Sequence, residues 1–235
     1  RALRKVEIQD LLRREPVTTS LEAVRSIVKG HTVLVTGAGG SIGSELCRQL
    51  VDLGPARVVL PGPGENSIFD ILNELQASAP EVEFVPVIVD VRDRELLNQA
   101  FRQWTPIAVF HAAAHKHVPM MERNVAEAIT NNILGTLNVV ELAAEHGVER
   151  LVLISTDKAV HPTNVMGATK RAAEMVVQMA ARDHRRNFVS VRFGNVLGSR
   201  GSVVPTFLKQ IGNGGPVTVT HPEIFSLTAP ALPRR

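Results

Sequence analysis

The chain has 235 residues, of which 44% are hydrophobic and 21% are charged, and this composition is typical of one large globular domain with a sizeable core. A formal net charge of +3, without basic blocks interleaved with aromatic residues, argues against nucleic acid as a partner. The purely apolar stretches are far shorter than about 20 residues, so we expect no membrane span and no secretory signal.

The first 29 residues mix charges with Leu, Val and Ile at helical spacing. They are predicted to form an N-terminal helical arm, in which Ser20 caps a helix over residues 21–28. Because the pattern is already under way at Arg1, we expect the chain to be cut from something longer.

A glycine-rich turn follows a first strand predicted over 31–36 and precedes an amphipathic helix predicted over 44–53. Its three glycines have the spacing G-x-x-G-x-x-G. In a dinucleotide-binding turn the first glycine permits the tight bend, the second lets the backbone approach a pyrophosphate, and the third permits close helix packing. The helix N-terminus adds N–H groups and a positive dipole. The predicted dinucleotide site consists of Gly37, Gly40, Ser41, Ile42 and Gly43.

The second strand, predicted over 57–60, lacks at its end the acidic residue that commonly binds an adenosine ribose. The first carboxylate, Glu65, comes several residues late. Two interpretations stay open: a turn that caps a helix over 67–77, or a ribose-binding loop formed by Glu65, Asn66 and Ser67. The choice between NAD and NADP is open as well.

A third strand over 83–89 ends at Asp90 and Val91, which are placed to meet an adenine ring. A fourth strand over 107–110 leads to small residues whose backbone can lie flat against a cofactor, namely Ala112, Ala113 and Ala114. The neighbouring histidines suggest a metal site as an alternative. No cysteine or second carboxylate cluster completes a ligand set, so we expect no metal. We expect Lys116 and His117 to face the substrate.

A long helical pattern over 124–145 contains two adjacent asparagines, and a kink is expected at Gly135. Asparagine is unfavourable inside a helix. We expect Asn132 to brace the active site. The alternative is that one asparagine is exposed to solvent and the other bonds a neighbouring loop.

The strand predicted over 151–154 continues into Ser155-Thr156-Asp157-Lys158, and a helical pattern then extends to about residue 181. Parallel sheets keep their ligands at the carboxyl ends of strands. Met166 and Lys170 are four residues apart, so both lie on a helix face directed back toward the strand end. A hydroxyl, a carboxylate and two ammonium groups can therefore meet, and such clusters shift pKa values as acid–base catalysis requires. The alternative is an exposed Asp–Lys pair without a function.

A sixth strand over 187–193 leads into a segment rich in glycine, residues 194–202. Arginine and glycine-spaced N–H groups suit the diphosphate of a second ligand beside the cofactor. The substrate-binding residues predicted in this region are Asn195, Arg200, Ser202 and Val203.

The segments VTGAGGSIGSEL, HAAAHKHVP, ISTDKAVHPTNVMGATKR and VRFGNVLGSRGSVVP resemble the extended short-chain dehydrogenase/reductase family. More closely, they resemble the CapD-like UDP-N-acetylglucosamine 4,6-dehydratases of bacterial polysaccharide biosynthesis, over residues 8–224. The resemblance implies an α/β fold, a doubly wound parallel sheet of the Rossmann type that binds NAD or NADP. It also implies a helical arm over 1–29, an NAD(P)-binding domain over 30–193, an incomplete nucleotide-sugar region over 194–224, and a non-family tail over 225–235.

For the chemistry, the resemblance implies a redox-neutral reaction on a UDP-N-acetyl-hexosamine. C4 is oxidised by hydride transfer, water is eliminated across C5 and C6, and the hydride returns to C6. Asp157 would protonate the departing 6-hydroxyl, Lys158 would be the base at C5, and Thr156 would bond the 4-oxygen. Lys170 would hold the nicotinamide ribose.

The chain departs from the wider family in two ways. Met166 occupies the tyrosine position of the Tyr-x-x-x-Lys motif, and the chain contains no tyrosine. A thioether is no proton acceptor, although one branch of the dehydratases also resembles this chain in having Met. Proton removal at O4 would then fall to Lys158, or to Asp157 through Thr156. The sequence after Ile224 leaves the family pattern, which predicts a truncated sugar-nucleotide pocket.

Three alternatives remain: a C5-inverting dehydratase, a 4-epimerase of the same fold, and a catalytically silent cofactor-binding fragment. The Asp–Lys pair argues against an epimerase, which expels no water at C6. We expect a homo-oligomer in the cytoplasm, at the inner face of the cell membrane in a longer parent protein, since related full-length proteins are membrane-anchored.

Overall fold

The computed structural model of the chain describes residues 21–194, 196 and 210–216. The chain divides into two units: residues 20–192, and a second unit formed by the residues on either side of that range. The strands are β1 Thr32–Thr36, β2 Arg57–Gly62, β3 Glu83–Ile88, β4 Ala108–His111, β5 Arg150–Thr156 and β6 Asn187–Phe193. The helices are α1 Glu22–Val28, α2 Ser41–Val51, α3 Glu65–Ser78, α4 Arg94–Trp104, α5 Val118–Arg123, α6 Val125–Ile129, α7 Gly135–Glu145 and α8 Val165–Asp183.

The six strands form one sheet in the order β3-β2-β1-β4-β5-β6. The pairs β1–β2, β1–β4, β2–β3 and β4–β5 are parallel. This is the doubly wound order, so the predicted fold class is confirmed. The strand order reverses between β1 and β4, and ligands of such sheets bind in the crevice at that point, outside the carboxyl ends of the strands.

Helices cover both faces of the sheet, which explains why β1 is apolar without alternation. Successive side chains of a strand point to opposite faces. Leu34 packs in one core with Val109 and Leu151, whereas Val33 packs in the other with Cys47. Cys47 is fully buried there, and burial raises the pKa of its thiol to about 12.

Some predicted boundaries are wrong by a few residues. Helix α2 begins at Ser41 rather than at residue 44 because Gly40, in an extended conformation, serves as its N-cap. Helix α3 begins at Glu65 rather than at residue 67 because Gly64 serves in the same way. Strand β5 runs through Thr156, so the polar cluster begins inside the strand. Ser20, the predicted cap of α1, lies outside the described residues.

The pattern over 124–145 is not a single helix. A π-helical turn, Thr130–Leu134, separates α6 from α7, so the irregularity precedes the predicted kink at Gly135. Single π-helical turns are frequent at functional sites. Gly135 itself lies against the end of β3, because a Cβ atom there would be 2.7 Å from Val91 Cγ2. This turn buries both asparagines of the pattern.

Within the described ranges, no helix combines the length and the apolar composition needed to cross a membrane. The domain boundaries predicted from the sequence stay predictions.

Candidate active site

The turn after β1 places Gly37 against the loop after β4 and places Gly40 and Gly43 against Gly37. Gly37 has a φ of +68°, and a Cβ atom there would lie 2.8 Å from the backbone nitrogen of Ala113. A Cβ atom on Gly43 would overlap the carbonyl group of Gly37. The N–H of Gly40 donates to that carbonyl over 2.9 Å at the start of α2. Backbone alone therefore forms this cradle, which fits the phosphates of a dinucleotide at a helix N-terminus.

The segment after β2 leads straight into the first turn of α3. Glu65 and Asn66 are exposed in that turn, and Ser67 Oγ donates to the carbonyl of Gly64 over 2.8 Å. A Cβ atom on Gly39 would overlap Ser67, so this helix end borders the glycine turn. The segment does cap a helix, as one of the two interpretations holds. Its contact with a ribose stays a prediction.

At the end of β3, Asp90 is held by an arginine that the sequence analysis missed. Arg92 Nη2 lies 2.6 Å from Asp90 Oδ2, and its hydrogen bonds lower the pKa of the Asp90 carboxyl. Arg92 also binds Glu127 over 2.9 Å. The side chain of Val91 is buried in the core, so an adenine at this place would meet its backbone.

The loop after β4 is fixed to β1 and to the interior. The N–H of Ala112 donates to the carbonyl of Thr36 over 3.1 Å, and the N–H of Ala113 donates to Thr36 Oγ1 over 3.4 Å. His111 is fully buried directly before them and bonds Thr36. Burial, with the positive charge of Lys170 as a smaller cause, lowers the pKa of His111 to about 3, so its imidazole is neutral.

Asn132 bonds the continuation of that loop, and its role in bracing the active site stays a prediction. Its Oδ1 accepts from the N–H of His115 over 2.8 Å, and its Nδ2 donates to the carbonyl of the same residue over 3.1 Å. Nδ2 also donates to Thr169 Oγ1 over 3.1 Å, which ties the loop to α8. A buried asparagine in a π-helical turn thus bonds both the loop after β4 and helix α8.

Thr156, Asp157 and Lys158 form a hydrogen-bonded cluster at the end of β5. Thr156 Oγ1 donates to Asp157 Oδ1 over 2.8 Å, and Lys158 Nζ donates to the same oxygen over 3.1 Å. The backbone N–H of Lys158 donates to Thr156 Oγ1 over 3.3 Å, which directs the hydroxyl proton toward the carboxylate. Burial raises the pKa of Asp157, but the bonds from Thr156 and Lys158 outweigh it, and the net shift is downward. About a third of each charged side chain is exposed, so both are accessible to a ligand.

Lys170, on α8, bonds the backbone of the same strand. Its Nζ donates to the carbonyl of Ile154 over 2.6 Å, and the residue is only 5% exposed. Burial lowers the pKa of this ammonium to about 8, against the attraction of Glu174. Lys170 therefore carries its charge at neutral pH within one helical turn of a buried carboxylate.

That carboxylate, Glu174, was missed by the sequence analysis. Its Oε1 accepts from Ser155 Oγ over 2.6 Å and from Arg192 Nε over 2.7 Å, and Arg171 binds its Oε2 over 3.1 Å. Burial raises the pKa of Glu174, but these bonds hold it at about 2. The available signal was a glutamate four residues after Lys170 on the inward helix face, since a charge there requires partners.

Met166 lies apart from these polar contacts. It is 4% exposed and packs with Met121 and Ala128 in a small apolar cluster. Gly167 follows it, and a Cβ atom there would lie 3.3 Å from Asn164 Oδ1 and still closer to the carbonyl of Lys158. The first turn of α8 thus lies close to the backbone of Lys158, while Met166 contributes apolar packing.

The remaining predicted residues lie at the rim of the site or outside the described ranges. Lys116 and His117 are exposed, and His117 stands at the N-cap of α5. His115 Nε2 lies 3.0 Å from Glu127 Oε1. Within residues 21–194, 196 and 210–216, no group of three or more His, Cys, Asp or Glu could hold a metal ion. The predicted substrate residues outside those ranges are Asn195, Arg200, Ser202 and Val203.

Three relatives show what the chain is similar to. Capsular polysaccharide biosynthesis protein CapD of Staphylococcus aureus is 55% identical over 99% of this chain and 39% of that protein. A UDP-N-acetylglucosamine 4,6-dehydratase (inverting) of Campylobacter jejuni is 38% identical over 82% of this chain and 58% of its own length. A UDP-glucose 4-epimerase of Rickettsia canadensis is 36% identical over 82% and 57%, respectively. The chain thus spans about two fifths of the first relative and less than two thirds of the others.

Solved structures agree with the fold. Pen from Bacillus thuringiensis matches with a TM-score of 0.77 and 35% identity, over 83% of this chain and 60% of that one. The enzyme WbmG from Bordetella bronchiseptica, solved in complex with NAD, matches with a TM-score of 0.65 and 26% identity, over 78% and 60%. A family described as polysaccharide biosynthesis protein matches residues 33–229. Because this match covers most of the chain, and because the relatives include CapD and a 4,6-dehydratase, the chain belongs to the polysaccharide biosynthesis protein family of short-chain dehydrogenase/reductase fold.

Proposed function

We propose that the chain is a nucleotide-sugar 4,6-dehydratase that converts UDP-N-acetylglucosamine to a 4-keto-6-deoxy sugar for bacterial polysaccharide synthesis. The observation that carries this proposal is the cluster of Thr156, Asp157 and Lys158, in which a hydroxyl and an amine share one carboxylate oxygen at a strand end. An acid and a base at adjacent positions are what elimination across C5 and C6 needs. The Campylobacter relative, a UDP-N-acetylglucosamine 4,6-dehydratase, supports the substrate class.

The glycine cradle supports a nicotinamide dinucleotide, and the NAD complex of the Bordetella relative favours NAD. When bound, NAD supplies the acceptor for the hydride that leaves C4 and later returns to C6. The backbone of Gly37, Gly40 and Gly43 would hold its pyrophosphate. Lys170, cationic below a pKa of about 8, would hold the nicotinamide ribose.

Thr156 and Asp157 account for the proton of the 4-hydroxyl without a tyrosine. The carboxylate is ionised at neutral pH because its pKa is lowered, so it starts the reaction as an acceptor. Thr156 can take the proton of the sugar hydroxyl while its own proton passes to Asp157, along the hydrogen bond that already joins them. Asp157 then holds the proton that it delivers to the 6-hydroxyl as this leaves as water.

In its neutral form, Lys158 would remove the C5 proton, and the ammonium so formed would return a proton to C5 once the hydride has reached C6. Its amine already bonds the Asp157 oxygen over 3.1 Å, so the acid and the base stay next to each other but distinct. The sum is the loss of one water: one hydrogen comes from O4 and the hydroxyl from C6. The hydride ends at C6, and C5 ends with one proton, as it began.

A 4-epimerase is the second candidate, and the 36% identity to the Rickettsia enzyme favours it. Epimerisation needs the cofactor and one base at O4, but no acid at C6. In an epimerase, therefore, only one member of the Asp157–Lys158 pair would have a role.

Incubation of the purified chain with NAD and UDP-N-acetylglucosamine, followed by mass spectrometry, tests the proposal. A dehydratase produces a species lighter by about 18 mass units, the mass of one water, whereas an epimerase leaves the mass unchanged. A sugar of unchanged mass and, by NMR, unchanged C4 configuration in the presence of bound NAD would contradict both activities and indicate a cofactor-binding chain without catalysis.

Replacement of Gly43 by alanine should weaken NAD binding by at least about tenfold, or 1.4 kcal/mol. The added Cβ would overlap the carbonyl of Gly37, so the cradle must open. Calorimetric titration with NAD measures the change. Gly212→Ala is the matched control, because a Cβ atom there meets nothing within 4 Å. Equal affinities of the two variants would show that the cradle does not hold the cofactor.

A further inference from the structure

One continuous set of buried hydrogen bonds runs beneath the loop after β4. His111 Nδ1 lies 2.6 Å from Thr36 Oγ1, and its Nε2 lies 3.0 Å from Thr136 Oγ1. Thr136 bonds the carbonyl of Asn132 over 2.7 Å. All four residues are at most 1% exposed, so these bonds have no competition from water.

The direction of each hydrogen bond follows from what its atoms can donate. A carbonyl only accepts, so the single hydroxyl proton of Thr136 goes to Asn132. Thr136 Oγ1 can then only accept from the imidazole, which places the ring proton of His111 on Nε2. The neutral ring therefore has a bare Nδ1, and that nitrogen accepts the hydroxyl proton of Thr36. With its proton committed, Thr36 Oγ1 accepts the N–H of Ala113.

Both ends of this set bond the same short stretch of loop. At one end, Thr36 Oγ1 accepts a hydrogen bond from the N–H of Ala113. Thr36 and His111 are also register partners in the pairing of β1 with β4. At the other end, the Asn132 amide accepts a hydrogen bond from the N–H of His115 and donates one to the carbonyl of His115. The segment 113–115 lies against Gly37 on one side and continues into Lys116 and His117 on the other. Its position therefore bears on both the cofactor and the sugar.

We propose that His111 is a positioning residue, which as a neutral imidazole protonated on Nε2 joins Thr36 to Thr136 and thereby fixes the segment 113–115 beside the cofactor cradle. The proposal rests on the proposed function, because the cradle is taken to hold NAD. His111 itself touches neither ligand. Its effect passes through two hydroxyl groups, each of which can be removed without changing the shape of its side chain.

The test compares Thr36→Val and Thr136→Val with Thr36→Ser and Thr136→Ser in the full chain. Valine keeps the shape and removes the hydroxyl, whereas serine keeps the hydroxyl. We expect each valine variant to bind NAD about tenfold more weakly, and each serine variant to stay within about threefold of the parent. Because either loss releases the same ring, the double valine variant should lose little more than the worse single one.

Nitrogen NMR of the histidine rings gives a readout that does not need NAD. We expect His111, assigned by its absence in His111→Asn, to carry its proton on Nε2 in the parent. A proton on Nδ1 would overturn the proposal even if the valine variants fail to fold. Parent affinity in both valine variants, or multiplied losses in the double variant, would overturn it and leave the proposed function intact. A parent chain that binds no NAD would instead overturn the proposed function, and the positioning role with it.

Discussion

Lowering the pH from 6.5 to 4.5 should destabilise the folded chain by about 2 kcal/mol through His111 alone. The unfolded imidazole takes up a proton below its pKa of 6.5, whereas the buried one stays neutral down to a pKa of about 3. The unfolded state therefore binds more protons across this range, and stability falls as the pH falls. The complete effect, between pH 6.5 and pH 3, is on the order of 5 kcal/mol.

Between pH 6.5 and pH 4.5, the loss of stability from His111 can be measured apart from the loss that the carboxylates cause. Glu174, whose pKa falls from 4.5 to about 2, loses its contribution only at lower pH. Urea unfolding at a series of pH values measures the slope, and His111→Asn should flatten it because asparagine does not titrate. His184→Asn, at an exposed histidine, is the control and should keep the parent slope. A parent slope that survives in His111→Asn would contradict the assignment.

Replacement of Asp157 by asparagine should lower turnover of the nucleotide sugar by about 10²- to 10⁴-fold. The amide keeps the size of the side chain but cannot take the proton that Thr156 passes on, and it cannot protonate the 6-hydroxyl. Binding of NAD should not change, because Asp157 lies at the end of β5 and not in the glycine cradle. Single-turnover kinetics with saturating sugar measures the loss.

Thr156 supplies the matched pair for this experiment. Thr156→Ser retains the hydroxyl that donates to Asp157 and should stay within about tenfold of the parent, whereas Thr156→Val should approach the loss of Asp157→Asn. If Thr156→Val turns over like the parent, the proton of the 4-hydroxyl does not pass through this residue. If Asp157→Asn does so, the carboxylate is not the acid.

Much of the fold was predictable because its signals are local. The strand-turn-helix around Gly37 requires glycine at fixed positions, and the apolar strands separate it from the next helices. The strand end at Thr156 was predictable for the same reason, since an apolar run gives way to polar residues at one point. The predicted starts of α2 and α3 were wrong because Gly40 and Gly64 cap these helices before the first residues of the apolar pattern.

The parts that were missed depend on contacts distant in sequence. Glu174 and Arg192 belong to different elements. The spacing of Glu174 from Lys170 indicates an inward carboxylate, but nothing near Arg192 in the sequence identifies it as the partner. His111 is unremarkable at a strand end until β1 places Thr36 beside it. The spacing of apolar residues over 124–145 does not distinguish a π-helical turn from a regular helix. Yet this turn buries Asn132, which bonds His115.

The position of Met166 illustrates the same limit. Its spacing from Lys170 correctly indicates a shared helix face, but the burial of that face is a tertiary property. The thioether packs with Met121 and Ala128, so Met166 belongs to an apolar cluster and not to the polar groups at the end of β5.

The most direct test of the central claim follows the hydride with UDP-N-acetylglucosamine that carries deuterium at C4. The proposed reaction predicts a product that has lost one water and carries the deuterium at C6, as located by NMR. Deuterium found at C4 of an undehydrated sugar whose C4 configuration is inverted would show an epimerase, and deuterium lost to solvent would show that no hydride is retained. Either result would contradict a 4,6-dehydratase built on Thr156, Asp157 and Lys158.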